Sequence, residues 1–416
     1  MIKTFRMNVA LIRLLSMMLS TLMLLSSCGE ASIVTKNALQ TSQAPPSKLV
    51  VFGDSLSDQG NMFMLAREIT HFHHLHMSSP PTSHQGMAFT NGQLPVEFVA
   101  KALGDHLQPA WRPSTLLETE PRLEMNPEMM DLLAPTAIST AKPDVIRAAV
   151  LTPASTLEFA AKAEQKISEK FSDPNTSGLN YAVAGAAIAN DYSGLRLSIY
   201  NKVALDKQVD AYAARADKPL IDQTLFIFFI GGNDLLNVFA DKHFVTEDKK
   251  RIKISSLPAL VVDNIKRVQA LGAKRILVIG PPDISTTPAL FNTSSAALAQ
   301  SLSQQLEREM EVSLSKAFPG QEVLWLPMQS LFAQWLQAWT PATRNRACVT
   351  DIEAGYYELG PLLEREELIV KFINGCSQSL LDQQQYPFFD SVHPSEKIYQ
   401  LFAEKMLEKI KQFKAD

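Results

Sequence analysis

The chain has 416 residues, of which 46% are hydrophobic and 20% are charged, and its formal net charge is −4 at pH 7. A mildly acidic protein offers no general attraction to nucleic acid or to anionic surfaces, so charge predicts no nucleic-acid partner. The length exceeds the usual size of one domain, but residues 48–416 are compatible with a single enlarged α/β domain.

The N-terminus has the pattern of an export signal. Lys3, Arg6 and Arg13 precede an uncharged apolar run at residues 14–25, and small residues follow that run. The run is too short to span a bilayer comfortably, since spanning takes about 20 apolar residues. We therefore predict a signal peptide at residues 1–27 and export from a bacterium, with a buried N-terminal helix as the alternative.

The end of this signal has two interpretations. Leu25-Ser26-Ser27-Cys28 resembles a bacterial lipobox, in which Cys28 is lipidated and the product is a periplasmic or outer-membrane lipoprotein. Ordinary cleavage nearby would instead leave a soluble secreted protein. In both cases residues 28–47, which are rich in Ser, Thr, Gln, Ala and Pro, predict a flexible linker.

Cysteine usage agrees with export. The chain has three cysteines, and Cys28 belongs to the signal junction. Cys348 and Cys376 remain as one possible pair, with two unpaired thiols as the alternative. A disulfide is favoured because exposed free thiols are a liability outside the cytosol. It would close the loop 348–376 and stabilise the fold by roughly 3–4 kcal/mol.

Short apolar runs that do not alternate predict strands buried on both faces of a parallel sheet. The five runs are Lys48–Gly53, 179–183, 225–230, 275–279 and 322–326. Helical patterns follow or separate them at residues 260–271, Ala296–Ala317 and 395–413. Such alternation predicts a three-layer α/β/α sandwich with a five-stranded, mainly parallel sheet and a site at the carboxyl ends of its strands.

Two stretches interrupt the alternation. Residues 101–177 contain many prolines and no clear strand, which indicates an insertion, partly helical around Pro153–Phe171, that could form part of a lid. Residues 341–389 contain the cysteine pair and an acidic run at 364–367. We expect both stretches to be additions to the same domain.

The first segment with candidate catalytic residues follows the first strand. Gly53 permits a tight exit from the strand, and Asp54 and Ser55 come next. We expect Ser55 to open a helix, where a free backbone N–H and the positive end of the helix dipole suit a nucleophile whose attack creates an oxyanion. A helix-capping serine is the alternative.

Two further segments place small or amide residues after strands. Gly185 follows residues 179–183, and its N–H could face a substrate oxygen; a simple turn is the alternative. Gly231 and Gly232 precede Asn233, whose neutral amide can stabilise an oxyanion without giving up a proton. An Asx turn is the alternative for Asn233.

The last segment pairs an acid with a histidine. His393 precedes Pro394, a residue favoured at the first position of a helix. Asp390 lies close enough to accept from one imidazole nitrogen while the other faces Ser55. A serine nucleophile requires a histidine with one nitrogen bonded to an acid and the other facing the hydroxyl. The alternative is a surface turn, which would show the same residues.

In this order, the segments resemble the blocks of the SGNH, or GDSL, hydrolases. Residues 52–57 match the first block, Gly185 the second, 231–234 the third and 390–393 the last, so the resemblance spans nearly the whole mature chain. Members often have Gly-X-Asn-Asp in the third block, and here X is Gly232.

The resemblance implies a catalytic mechanism. Ser55 would be the nucleophile, His393 the general base and Asp390 the residue that orients it. The Ser55 N–H, the Gly185 N–H and the Asn233 side chain would form the oxyanion hole. It also implies an ester substrate, and neither a metal nor an organic cofactor.

Two segments resemble one bacterial branch of the family. Residues 86–92 with 95–98 are similar to "F-S-N-G…W-V-E", and residues 386–394 to "Y-x-F-W-D-x-V-H-P". The branch comprises phospholipases A, lysophospholipases and glycerophospholipid–cholesterol acyltransferases. It implies a phospholipid or lysophospholipid substrate at a membrane surface, and cholesterol as a possible acyl acceptor. Some members carry a disulfide loop that a protease opens, and Cys348–Cys376 could be such a loop.

Other interpretations remain open. Plant and carbohydrate-acting GDSL enzymes share similar segments, so acetylated sugars or small esters are alternative substrates, and a non-catalytic binding protein is a third hypothesis. A histidine cluster invites a metal-site interpretation. Its members are His71, His73, His74 and His76, with Glu68 as the nearest further ligand. We expect no metal site there, because no other Asp, Glu or Cys completes a ligand set.

Overall fold

The computed structural model describes residues 45–69, 74–75, 88–111, 153–349, 353–355, 367–369, 372–377 and 379–413. All of them belong to one unit, Gln43–Lys414. The predicted signal peptide, Cys28 and nearly all of the linker lie outside the described residues, as do His71, His73 and His76. Predictions for those positions stay predictions.

A parallel sheet forms the centre of the fold. The strands are β1 (Lys48–Gly53), β2 (His74–Leu75), β3 (Thr224–Phe229), β4 (Ile276–Ile279), β5 (Val323–Leu326), β6 (Glu353–Gly355) and β7 (Glu367–Ile369). The main sheet has the order β1-β3-β4-β5, and every neighbouring pair in it is parallel. A smaller sheet has the order β2-β7-β6. The α/β fold and four of the predicted strands are confirmed.

The remaining predicted strand, residues 179–183, pairs with β1 without becoming a regular strand. Val51 N–H donates to the Leu179 carbonyl at 3.0 Å, and Tyr181 N–H donates to the Val51 carbonyl at 2.7 Å. On the far side, Asn180 N–H donates to the Gln108 carbonyl at 3.0 Å, and the Asn61 side chain donates to the carbonyls of Asn180 and Ala182 at 2.7 and 2.8 Å. The segment therefore forms two isolated bridges, Val51 to Asn180 and Pro109 to Asn180, in place of a continuous ladder.

Eleven α-helices occur in the described part of the chain. They are α1 (Asn61–Ile69), α2 (Pro95–Ala102), α3 (Pro153–Phe171), α4 (Leu195–Tyr200), α5 (Leu205–Ala214), α6 (Gly232–Ala240), α7 (Glu247–Ala270), α8 (Ala296–Ala317), α9 (Gln329–Leu336), α10 (Leu380–Gln383) and α11 (Glu396–Ile410). Helices α3 and α8 have the predicted bounds. Helix α7 starts well before the predicted residue 260, because Thr246 caps it by accepting from Lys249 N–H at 3.3 Å and Pro258 is tolerated inside it.

The helices cover both faces of the sheet. Side chains of β1 alternate, so that Val50 and Phe52 join one hydrophobic core and Leu49 and Val51 join the other. Helices α3, α5, α7 and α8 contribute to the first core, and α2, α9 and α11 to the second. This is the expected three-layer arrangement, and it buries β1 and β3 on both faces. No helix of the described residues is both long and apolar enough to span a membrane.

Candidate active site

Ser55 lies in a tight turn directly after β1. The Gln208 side chain bonds both the N–H and the carbonyl of Gly53, each at 2.8 Å, and so fixes the end of the strand. Leu56 N–H then donates to the Asp54 carboxylate at 3.0 Å. The expectation that Ser55 opens a helix is wrong. The next helix, α1, begins only at Asn61, because its first N–H groups are capped by a later residue, Asp58.

A chain of hydrogen bonds joins the predicted catalytic residues. Ser55 Oγ lies 2.8 Å from His393 Nε2, and His393 Nδ1 lies 2.7 Å from Asp390 Oδ2. All three side chains are buried, with exposures of 7%, 3% and 0% for Ser55, His393 and Asp390. This geometry allows His393 to accept the Ser55 proton.

The two oxygens of Asp390 have separate tasks. Oδ1 accepts the backbone N–H groups of Val392 and His393 at 3.0 and 2.8 Å, which leaves Oδ2 for the imidazole. A carboxylate at Nδ1 holds the proton on that nitrogen, so Nε2 faces Ser55 as an acceptor. The local turn therefore sets the tautomer as well as the position of His393.

An aromatic residue supports the other side of the imidazole. The Phe89 ring stacks on the His393 ring at 4.9 Å between centroids. Nearby, Asn91 Oδ1 accepts Glu396 N–H at 2.9 Å, and the Glu396 carboxylate accepts Gln93 N–H at 2.9 Å. The segment that resembles "F-S-N-G" thus holds the start of α11 and the histidine before it. Phe89 belongs to residues 86–92, whose resemblance to the bacterial branch implied no role for it.

The catalytic side chains open into a cavity of about 50 Å³. Ser55 and His393 line it together with Gly232 and Asn233, which begin α6 after β3. Its apolar wall includes Leu56, Leu236, Pro282, Ile284 and Val392. Ser55 and Asn233 therefore lie at the carboxyl ends of β1 and β3, as open parallel sheets favour, and His393 reaches them from the loop before α11.

Hydrogen-bond donors for an oxyanion are available near Ser55. Asn233 Nδ2 donates one hydrogen to the Ala186 carbonyl at 2.8 Å and carries a second one. Within the described residues no acceptor faces the backbone N–H of Ser55 or of Gly185. Gly185 does not line the cavity, unlike Ser55 and Asn233. Its φ of +83° and the nearby Tyr200 ring, 2.2 Å from a notional Cβ, explain why glycine stands there.

Buried carboxylates connect the segments around the site, a role that no sequence pattern predicted. Asp58 accepts from Gly60 and Asn61 with one oxygen and from Met62 and Ala184 with the other, at 2.6 to 3.0 Å. Burial raises the pKa of Asp58 to about 6. It therefore joins the turn after Ser55 to the segment before Gly185.

Asp234 makes the next connection. It accepts Ile188 N–H at 2.7 Å, Ala189 N–H at 3.1 Å and the Tyr192 hydroxyl at 2.8 Å. Burial raises the pKa of Asp234 to about 6 and that of Asp54, which lines the cavity, to about 7. The only sequence signal for these roles was the adjacency of Asp54 and Asp234 to the predicted site residues.

The predicted disulfide is present between Cys348 and Cys376. Cys348 N–H donates to the carbonyls of Phe388 and Phe389 at 3.1 Å, immediately before Asp390. The cross-link therefore reaches the loop that holds the catalytic acid and histidine. Among the described residues no three His, Cys, Asp or Glu side chains are grouped as metal ligands.

Residues 49–406 match the GDSL-like Lipase/Acylhydrolase family. The chain belongs to this family. It is 23% identical over 402 residues to a GDSL esterase/lipase of Arabidopsis thaliana, which covers 90% of this chain and 92% of that protein. It is also 23% identical over 418 residues to a second Arabidopsis GDSL esterase/lipase, with 93% of each chain covered. This GDSL protein is accordingly a carboxylic ester hydrolase, and these relatives are plant proteins.

The departure in the third GDSL block is accommodated by the structure. A Cβ added to Gly232 would lie 3.7 Å from Asp54 Oδ2, which is an ordinary contact distance. Gly231 instead has a φ of +121°, in the region that favours glycine. The backbone therefore requires glycine at position 231, whereas position 232 can vary in this GDSL protein.

Proposed function

We propose that this protein is an exported lipolytic serine esterase that hydrolyses the acyl esters of phospholipids or lysophospholipids. The observation that carries the proposal is the hydrogen-bonded chain from Ser55 through His393 to Asp390, at 2.8 and 2.7 Å, beside the catalytic cavity. A general base in contact with the hydroxyl is what makes a serine a nucleophile at neutral pH.

The reaction follows from these contacts. Ser55 Oγ forms a bond to the ester carbonyl carbon while its proton passes to His393 Nε2, and Asp390 stabilises the resulting imidazolium. The N–H groups of Ser55 and Gly185 and the Asn233 amide are the proposed donors to the carbonyl oxygen, which becomes negative. The C–O bond to the alcohol then breaks, and His393 returns the proton to the departing oxygen.

The acyl group on Ser55 is then passed to an acceptor. Water, deprotonated by His393, attacks the acyl-enzyme and releases a fatty acid. A sterol hydroxyl such as that of cholesterol is the second proposed acceptor and would give a sterol ester. Phospholipid as substrate and sterol as acceptor rest on the resemblance of residues 86–98 and 386–394 to the bacterial branch.

Export and activation belong to the same proposal. The basic and apolar residues before Cys28 support export, and the disulfide agrees with an oxidising compartment. We also propose Cys28 as a lipidation site and the loop between Cys348 and Cys376 as a site of activating proteolysis. A confirmed cut in that loop that leaves turnover unchanged would remove the activation step.

Replacement of the nucleophile tests the central step. Ser55→Ala should abolish hydrolysis of lysophosphatidylcholine and labelling by a fluorophosphonate probe, with the melting temperature kept within about 2 °C of the wild type. Activity that survives in the pure variant would contradict a role for Ser55. A wild-type protein that the probe does not label would instead be a non-catalytic binding protein.

A substrate panel tests the lipid class. Wild-type protein should cleave p-nitrophenyl palmitate faster than p-nitrophenyl acetate, and phospholipid assays with and without cholesterol should show whether a sterol ester forms. A strong preference for acetate would transfer the proposal to acetylated carbohydrates or other small esters.

A further inference from the structure

A second cavity lies next to the catalytic one, on the other side of a short 3-10 helix, Ile284–Thr286. Ile284 and Thr287 line the catalytic cavity, whereas Ser285 and Thr286 line the second cavity. The second cavity is the wider of the two, at about 610 Å³. A substrate whose ester lies at Ser55 therefore has room for another group just across this helix.

The wall of the second cavity is positive. Arg344 is its only charged side chain among the described residues, and the other polar ones are hydroxyls and amides. Arg344 makes no ion pair with a described carboxylate; one of its terminal nitrogens donates to the Trp339 carbonyl at 3.2 Å, and its buried Nε has no partner. A guanidinium with unused N–H groups and no carboxylate nearby favours an anion.

Ser285 adds a hydrogen-bond donor to the same wall. The residue is 9% exposed, its N–H is already bound to Asp283 at 2.9 Å, and its hydroxyl has no partner within the described part of the chain. Because Ser285 lines the second cavity, this hydroxyl is open to a group that enters it. A serine hydroxyl can donate one hydrogen bond, so the hydroxyl of Ser285 suits an occupant that can accept one.

The N-terminus of a long helix contributes a third element. Helix α8 begins at Ala296, and Ala296 and Ala297 both line the second cavity. Its N-cap residue, Ser295, makes no side-chain capping bond. The first-turn N–H groups of a helix and its dipole attract anions, most strongly phosphate. Arg344, Ser285 and α8 thus present three independent donors to one space.

We propose that the second cavity binds the phosphate of the lipid headgroup while the ester of the same molecule lies at Ser55. A short glycerol backbone joins ester and phosphate in these lipids, and consecutive residues of the segment 284–287 line the two cavities. The inference rests on the proposed phospholipid specificity and assigns its origin to the second cavity. Neutral esters with the same acyl chain use the catalytic cavity alone.

Arg344→Gln tests the assignment, with Arg346→Gln as its matched control, because Arg346 is exposed on the same loop and does not line the cavity. Arg344→Gln should raise KM for lysophosphatidylcholine about tenfold, as expected for the loss of a charge-assisted contact. It should leave KM and kcat for a monoacylglycerol of the same chain unchanged, and Arg346→Gln should change neither. An equal effect of Arg344→Gln on both substrates, or no effect on either, would overturn the assignment.

Ala297→Asp provides a second variant for which misfolding is not an explanation. An acidic residue in the first turn stabilises a helix, so the melting temperature should stay or rise, while the new charge should repel a phosphate. KM for lysophosphatidylcholine should again rise about tenfold, and KM for the monoacylglycerol should not. A variant that is folded and keeps the wild-type KM for both substrates would contradict the proposal.

Inorganic phosphate distinguishes the possible sources of the anion. If phosphate alone raises the melting temperature of the wild type but not of Arg344→Gln, while lysophospholipid kinetics are the same in both, the cavity binds free phosphate and the headgroup assignment is wrong. If the wild type cleaves monoacylglycerol but no phospholipid, the proposed function fails. In that case, a phosphate-induced rise in melting temperature that requires Arg344 would still support an anion site in the second cavity. If phosphate causes no such rise, the anion site is contradicted as well.

Discussion

The two halves of the catalytic site are held in place by different forces. On the serine half, Ser55 sits in a turn fixed by buried hydrogen bonds, chiefly from Gln208 and Asp58. On the histidine half, His393 stacks on Phe89, and its loop is bonded to the backbone of Cys348, one end of the disulfide. The serine half therefore depends on buried hydrogen bonds, some of them to titratable carboxylates, whereas the histidine half depends on a covalent bond and aromatic packing.

This difference predicts different vulnerabilities. A change of pH alters the charge of Asp58 and its buried neighbours, whose pKa values are raised into the range of about 6 to 7. A reductant acts on the Cys348–Cys376 bond instead. Each half can therefore be perturbed separately.

The largest effect is expected at the contact between acid and histidine. Asp390→Asn should lower kcat on a p-nitrophenyl ester by about 10⁴, because an amide can donate to Nδ1 and so favour the tautomer that places a proton on Nε2. Stopped-flow or steady-state assays with the pure variant would measure the loss. The fold should be retained, since Oδ1 can still accept the two backbone N–H groups.

Asp382→Asn is the matched control, because Asp382 lies in α10 of the same region and does not line the catalytic cavity. It should leave kcat unchanged. A loss of less than tenfold for Asp390→Asn would mean that His393 keeps its orientation without the carboxylate, through Phe89 and the loop alone.

The next effect concerns the disulfide. Replacing both cysteines, Cys348→Ser with Cys376→Ser, should lower the free energy of unfolding by about 3–4 kcal/mol, since the cross-link closes a loop with a sequence separation of 28. Urea unfolding followed by tryptophan fluorescence measures the change. The double variant should also lose activity, because the Cys348 backbone supports the residues just before Asp390.

A reductant supplies the matched control for this experiment. It should bring the wild-type protein down to the stability of the double variant and leave the double variant unchanged. A double variant that unfolds within about 1 kcal/mol of the wild type would show that the histidine half is held by packing alone.

The sequence predicts the elements that carry chemistry better than those that support them. Ser55, Asn233, Asp390 and His393 each follow a recognisable strand or precede a recognisable helix. In the structure Ser55, Asn233 and His393 line one cavity, and Asp390 is bonded to His393. Strands β1, β3 and β4 were predictable because both of their faces are buried, which leaves continuous apolar runs.

The supporting contacts could not be predicted from local pattern. Gln208 fixes Gly53 across a sequence separation of 155, and Asp58 reaches Ala184 across 126, so no short-range spacing reveals either pair. Ser55 was expected to open a helix, but the Asp54 carboxylate takes Leu56 N–H and closes a turn instead. A side chain that competes for backbone hydrogen bonds can override a helix signal.

The smallest of the three effects is a pH dependence on the serine half. Burial raises the pKa of Asp58 from 3.8 to about 6. Between these values the unfolded chain has lost the proton and the folded chain retains it, so Asp58 stabilises the fold at low pH and this contribution is lost as pH rises through about 6. An amide at this position has no proton to lose, so Asp58→Asn should cost about 2 kcal/mol less near pH 7.5 than near pH 4.

Urea unfolding of wild type and Asp58→Asn at the two pH values measures this difference, because the titrations of Asp54 and Asp234 are common to both proteins and cancel. Asp217→Asn is the matched control, because Asp217 is exposed and its replacement should change the free energy of unfolding little. A cost of Asp58→Asn that grows with pH would mean that the four backbone N–H bonds keep Asp58 ionised in the folded state. In that case the serine half would be stabilised by a buried charge, and its stability would fall in acid.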